Sequence, residues 1–439
     1  MARLSALGVL LLIAAGAALD LYRLGSPSLW YDEAVSFAFA RLPLHALMPA
    51  LRHMDAFFGL YYVLLHVVTL VSVREAALRL PSALAAIGFA IAVTRLGARL
   101  GGPRAMLITA GLASLSPLVI ASAKEARPYS LLLLFSTLMT LAFLRFLDEP
   151  ARLEWYVAYA ALCIIGCYLH LFAALVVVSH AVWALFYRRT LPARFGWRYP
   201  LALAVIVVAL VPLVVAIMAP GNVNVWIQRP TLRDVVMLAA QFAGAYAALV
   251  VEIVVLAVAI SIAIRRHVQR EIVFLAFLVV LPPLLAFGVS FAKPVFVGRY
   301  LFEAYPAFIV LVSIAIARLP RLAGLGACAL ILATSVRPIL RTFQAIEDWR
   351  GAVSYVESHA RTGAAVVLYP SFEAPSYAYY APNRRLVTIP DGAPVTRFLG
   401  RDWVVTADQF ATHPTLKIPR DADEFRGRIA VKPPHKRYP

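Results

Sequence analysis

The sequence predicts an all-α polytopic membrane protein carrying a small α/β domain at its C-terminal end. Three observations lead there. Of the 439 residues 62% are hydrophobic and 15% charged, and the mean hydropathy is +0.80, outside the range of water-soluble globular chains. The apolar residues are gathered in runs close to the ~20 that a helix needs to cross a bilayer. Beyond residue 338 the composition turns polar and proline-bearing, with short β-like runs such as Ala364–Tyr369 and Trp403–Thr406.

Hydropathy places spans at 4–24, 60–96 (a short half-buried segment, then a full span), 105–122, 128–147, 153–171, 172–187, 199–219, 235–264, 272–291, 298–317 and 322–338, about eleven crossings. The first run follows one arginine and lacks a small-residue cleavage site, so it reads as a retained span. Residues 1–338 form the expected transmembrane module, with a first external loop at 25–60, and residues 339–439 the small domain. In that domain a helix over 349–360 followed by a strand makes an ordinary αβ unit. Alternating ten-residue strands are missing, which argues against an outer-membrane barrel.

The formal net charge of +18 does not point to nucleic acid. The arginines cluster in alternate short loops: Arg95, Arg99 and Arg104; Arg188, Arg189, Arg194 and Arg198; Arg265, Arg266 and Arg270; Arg318 and Arg321. There they orient spans and meet anionic headgroups, and the positive-inside rule makes those loops cytoplasmic. Cys163, Cys167 and Cys328 all sit in apolar runs and read as small core residues.

The opposite face then collects most residues capable of chemistry near a membrane surface: Asp32, Glu33, Asp55, Lys124, Glu125, Arg127, His170, Lys293, Arg299, Glu303 and Asp348. Asp32 and Glu33 follow the first span in an aromatic stretch, and neighbours on a helix point about 100° apart. One is expected to act on substrate while the other packs or binds a metal; the plain structural alternative is an interfacial helix with solvated acids. Asp55 opens a short aromatic segment in which Tyr61 and Tyr62 suit a sugar or lipid headgroup. Lys124 and Arg127 flank the start of a span led by Pro128, where free backbone N–H groups favour anions. Lys293 and Arg299 repeat that chemistry on a later turn, Arg299 with the fork that grips phosphate through two parallel hydrogen bonds. Tyr129 and Tyr300 lie beside these cations, and His170 stands at a span junction where a lone histidine is more often a structural hydrogen-bonder than a base.

Taken in order, Trp30-Tyr-Asp-Glu-Ala34, Gly59-Leu-Tyr-Tyr-Val-Leu-Leu-His66, Ala76-Ala-Leu-Arg-Leu-Pro-Ser82, Leu115-Ser-Pro117, Glu125-Ala-Arg-Pro-Tyr129, Gly298-Arg-Tyr300 and Glu347-Asp-Trp-Arg-Gly351 resemble the GT-C fold glycosyltransferases. The resemblance is specifically to the prokaryotic family 39-type enzymes akin to protein O-mannosyltransferases and the lipid A aminoarabinose transferase. The resemblance runs to about residue 380. It implies an inverting transfer of a hexosyl or pentosyl group, mannose being the common case, from a polyprenyl-phosphate donor to a lipid, glycan or protein acceptor. The reaction would occur on the extracytoplasmic face of the cell inner (plasma) membrane. It makes Asp32 the catalytic acid and leaves a divalent cation open as cofactor. One departure is notable: many relatives carry His-Pro-Pro-Leu where this chain has Asp55-Ala-Phe-Phe-Gly-Leu60. Alternatives of other classes are a polytopic transporter and a non-catalytic envelope-assembly protein. A transporter places its charges near the bilayer midplane in repeated halves, and no repeated half is evident here.

Overall fold

The computed structural model describes residues 2–53, 56–218, 227–264, 270–388, 403–407, 423–425 and 429–432. Its helices are α1 (Ala2–Leu21), α2 (Tyr31–Ala40), α3 (Leu44–His53), α4 (Gly59–Val71), α5 (Glu75–Ser114), α6 (Pro117–Ala123), α7 (Tyr129–Asp148), α8 (Leu153–Leu169) and α9 (Ala174–Phe186). They continue as α10 (Ala193–Met218), α11 (Leu232–Ala243), α12 (Tyr246–Ile264), α13 (Arg270–Val289), α14 (Tyr305–Arg318), α15 (Arg321–Thr342), α16 (Trp349–His359) and α17 (Ala374–Tyr380). The chain packs as two compact units. The first holds Met1–Tyr22, Leu44–Leu64 and Arg79–Thr342; the second holds Arg23–Pro43, Leu65–Leu78 and Phe343–Pro439. The first external loop, assigned from sequence to the transmembrane module, thus belongs over residues 23–43 to the second unit.

The first unit is the membrane part of a multi-pass protein. Among the described residues six helices are long and apolar enough to cross a bilayer, seven when the bent pair α11–α12 is counted as one, against the eleven or so expected. Four shorter apolar helices, Ala6–Leu21, Gly59–Val71, Leu153–Leu169 and Leu171–Phe186, complete the apolar set. Local chemistry sets the breaks. In α5, Gly102 takes φ 77° and ψ −172°, and Pro103, which needs no amide partner at a helix start, begins the next stretch. After Ser114 the chain restarts at Pro117, with the Val119 N–H donating to Ser116 Oγ at 3.4 Å, so the span expected at 105–122 is two helices. The span expected at 235–264 is also broken: Gly244 adopts the left-handed conformation, φ 82°, and the chain turns by 87° between α11 and α12.

Aromatic stacking fills the far part of this unit. Phe143 lies parallel to the His180 ring at 4.3 Å and to Phe274 at 5.7 Å. His180 Nε2 is 3.4 Å from Thr140 Oγ1 and its Nδ1 3.3 Å from the Tyr159 hydroxyl, so both ring nitrogens of this buried histidine are satisfied.

The second unit contains the α/β layer. Five strands, β1 (Val366–Tyr369), β2 (Leu386–Thr388), β3 (Trp403–Ala407), β4 (Asp423–Phe425) and β5 (Ile429–Lys432), form one sheet in the order β2-β1-β3-β5-β4. β1 pairs in parallel with β2 and β3, while β5 is antiparallel to both β3 and β4. Trp349, Val353 and Val356 of α16 pack with Val366, Leu368, Trp403, Val405, Ile429 and Val431. Asp348 starts α16 as its N-cap, Oδ1 accepting from the Gly351 N–H at 2.9 Å. α17 packs on both α2 and α16.

Candidate active site

The chemistry-bearing residues fall into two groups, one in each unit. In the first unit the turn from Lys124 to Pro128 links α6 to α7, and the Arg127 carbonyl accepts from Ser82 Oγ at 2.9 Å. Arg127 is only 3% exposed. Its guanidinium carbon lies 4.9 Å from the centroid of Phe58 and 5.7 Å from that of Tyr129. Arg299 approaches the same Tyr129 ring at 5.9 Å. Two guanidinium groups therefore meet one tyrosine, whose quadrupole attracts both.

His170 completes this cluster. Its ring is 4.9 Å from Phe58, 5.5 Å from Tyr300 and 6.2 Å from Tyr129. At the turn after α8 its Nδ1 accepts from the Phe172 N–H at 3.3 Å, and the fully buried Nε2 has no hydrogen-bond partner among the described residues. Burial, aided by the positive Arg127, pulls the imidazole down to about 3, so it stands neutral at ordinary pH. Tyr61 and Tyr62 are fully buried on α4, Tyr62 edge-on to Phe58 at 6.4 Å.

The two lysines take other positions. Lys124 Nζ donates to the Tyr22 carbonyl at 2.6 Å and the Asp20 carbonyl at 3.4 Å, holding the C-terminal end of α1 where carbonyls lack helical partners. Burial pushes its ammonium down to about 8, against the pull of Asp20 and with the help of Arg79. Lys293 is exposed on the loop after α13. Asp55 lies outside the described residues.

In the second unit Asp32 and Glu33 occupy the first turn of α2, and their roles differ as adjacent helical positions require. Glu33 is buried and turns back on its own helix start, Oε2 accepting from the Trp30 N–H at 3.3 Å. Asp32 is half-buried. Glu347 Oε2 accepts from the Tyr31 N–H at 3.0 Å and from Trp349 Nε1 at 2.8 Å, which ties the start of α2 to the segment before α16. A third acid, Glu373, is 1% exposed and accepts from Ser376 Oγ at 3.1 Å. Burial, with Glu347 and Asp32 adding negative charge, raises its carboxyl to about 8. Glu347 appeared in the sequence only within a motif, and Glu373 carried no signal at all. Nearby, Arg350 binds Glu75 Oε1 at 2.6 Å and the carbonyls of Ser26 and Gly25. Among the described residues no group of three or more His, Cys, Asp or Glu is placed to hold a metal ion.

This chain, an apolar multi-helix unit joined to a small α/β unit, is a membrane protein of the GT-C fold. Residues 58–217 match the family model of dolichyl-phosphate-mannose-protein mannosyltransferases. The chain is similar in structure to ArnT from Cupriavidus metallidurans, both in the apo state and bound to undecaprenyl phosphate. Each comparison gives 15% identity and a TM-score of 0.63 over 96% of this chain and 97% of that one. It is also similar to the arabinofuranosyltransferase AftD from Mycobacteria, with 18% identity and a TM-score of 0.51 over 84% of this chain and 31% of that one. No curated protein matches it in sequence.

Proposed function

We propose that the protein is an integral-membrane inverting glycosyltransferase that moves a sugar from a polyprenyl-phosphate donor to an acceptor hydroxyl at the extracytoplasmic surface. The observation that carries this reading is the convergence of Arg127 and Arg299 on Tyr129. Arg127 is buried and Arg299 half-buried beside the same ring, and two planar guanidinium forks so placed match the oxygens of a phosphate diester. The structure of ArnT bound to undecaprenyl phosphate supports a polyprenyl phosphate as the ligand class, and the mannosyltransferase family model supports mannose as the first sugar to try.

In this reading Asp32 takes the proton from the acceptor hydroxyl, since an alcohol is a weak nucleophile at neutral pH. The acceptor oxygen bonds to the anomeric carbon as the carbon–oxygen bond to phosphate breaks, and the electron pair leaves with the polyprenyl phosphate. Arg127 and Arg299 stabilise the charge that grows there. His170, held neutral, and the rings of Phe58, Tyr129 and Tyr300 wall the anion site. Tyr61 and Tyr62 support that wall from α4. Lys124 fixes the turn that carries Arg127. The prenyl chain lies along apolar spans, and energy comes from the activated donor.

The test is transfer from a panel of radiolabelled polyprenyl-phosphate sugars by the purified protein in liposomes, with extracted envelope acceptors. Wild type is compared with Asp32→Asn, and a chelator arm asks whether a divalent cation contributes. Removal of a general base costs about 10²–10⁴-fold; near-normal turnover by Asp32→Asn removes Asp32 from that role.

A further inference from the structure

Among the acids of the second unit that the reaction above does not use, Glu373 is enclosed without a basic partner among the described residues. Glu373 sits in the short turn Ser371–Glu373 between β1 and α17, almost fully enclosed. Ser376 Oγ donates to its Oε2, while Oε1 is buried with no hydrogen-bond partner among the described residues. The charges that act on it are carboxylates: Glu347 from the segment before α16 and Asp32 from α2.

The other charged groups on the elements around it are already engaged. Glu33 of α2 binds the Trp30 N–H, Arg350 of α16 binds Glu75 and Glu357 of α16 binds Arg384. β1, whose sequence is Val-Val-Leu-Tyr, brings no charged side chain. Glu347 is held as an acceptor by the Tyr31 N–H and the Trp349 indole. A third negative charge in this corner would repel both neighbours, and burial adds to that penalty.

We propose that Glu373 is a positioning residue that works as a neutral carboxylic acid, leaving Asp32 to carry the charge in this corner. The proposal rests on Asp32 being the base. When Glu373 is protonated, it places no second charge beside Asp32. When Glu373 loses its proton, two carboxylates crowd each other and turnover falls, so the enzyme has an alkaline limb set by Glu373. The upward shift of its carboxyl to about 8 puts that limb near pH 8.

The experiment is a pH–rate profile of the full-length protein in liposomes for wild type, Glu373→Gln, Ser376→Ala and Asp32→Asn. Glu373→Gln copies the protonated acid in shape and charge. It is expected to turn over within about twofold of wild type at pH 7, general acid–base losses being far larger, and to lose the limb near pH 8. Ser376→Ala removes a hydrogen bond that favours the ionised form, so its limb moves to higher pH. Loss of turnover in well-folded Glu373→Gln to the level of Asp32→Asn overturns the proposal, as does a limb that neither variant moves. Infrared difference spectra supply a readout independent of turnover. A buried carboxylic-acid C=O band that titrates near pH 8 in wild type and is missing in Glu373→Gln is expected; its absence from wild type at pH 7 overturns the proposal. If Asp32→Asn keeps its activity, the base assignment fails, while the infrared band still reports whether Glu373 holds a proton.

Discussion

The guanidinium carbon of Arg127 stands 4.9 Å from the centroid of Phe58. A planar cation on an aromatic face keeps its edge N–H groups in the ring plane's direction, where they can meet an anion, and the stacking limits how far the fork rotates. Arg127→Ala is expected to lower kcat/KM about 10²–10³-fold, the range for removing one donor from a developing anion. Arg127→Lys is expected to recover only part of that, because it restores charge without the fork. Steady-state kinetics with a polyprenyl-phosphate sugar as the varied substrate checks both.

Adjacent acids on α2 are expected to fail in different ways. Glu33 serves the helix start, so Glu33→Ala should lower stability by about 1 kcal/mol with kcat within a few-fold of wild type. Asp32→Asn should leave the melting temperature nearly unchanged and remove turnover. Thermal unfolding in detergent beside a transfer assay separates the two.

His170 gives a pH prediction with a definite sign. Its folded value near about 3 lies below the ordinary 6.5, so the unfolded chain binds more protons between those values and stability rises with pH across that window. The contribution is complete above pH 6.5 and is lost as pH falls toward 3. His170→Gln is expected to flatten the acid side of the stability profile, measured by chemical unfolding in detergent at a series of pH values. Turnover between pH 5 and 8 should show no limb that this substitution removes.

Gly244 is the hinge of the α11–α12 bend. It has a left-handed backbone, and an added Cβ would come within 2.9 Å of the Pro117 ring. Gly244→Ala meets both penalties, about 1–2 kcal/mol for the backbone and about 1–3 kcal/mol for crowding. A loss of roughly 2–5 kcal/mol in detergent unfolding is the expected outcome, as the sum of those two terms.

Much of the fold was legible because long apolar runs have few other solutions in a bilayer. The helix starting at Trp349 and the strands near Val366 and Trp403 were readable from the polar turn in composition and the short β-like runs. The bend at Gly244 was hidden inside an apolar stretch in which one glycine looks unremarkable. The cation pattern marked Arg127 and Arg299, and folding brings them to one ring. The same pattern marked Lys124, whose use at the carbonyl end of α1 depends on how α1 and the turn meet. Glu373 was out of reach because its neighbours Asp32 and Glu347 come from distant parts of the chain, and charge in a polar tail ordinarily signals solvent.

The Tyr31 amide and the Glu347 carboxylate that binds it are 316 residues apart. At synthesis rates of about 5–20 residues per second, the ribosome needs roughly 15 to 60 s to supply that partner. For that interval α2 has its start unanchored and its aromatic side chains Tyr31 and Phe37 without their ring partners Phe372 and Tyr379. Any quality-control protease or chaperone that acts in that interval meets α2 before its own unit exists, and termination between residues 342 and 347 would leave the apolar helices complete and the second unit permanently unfinished.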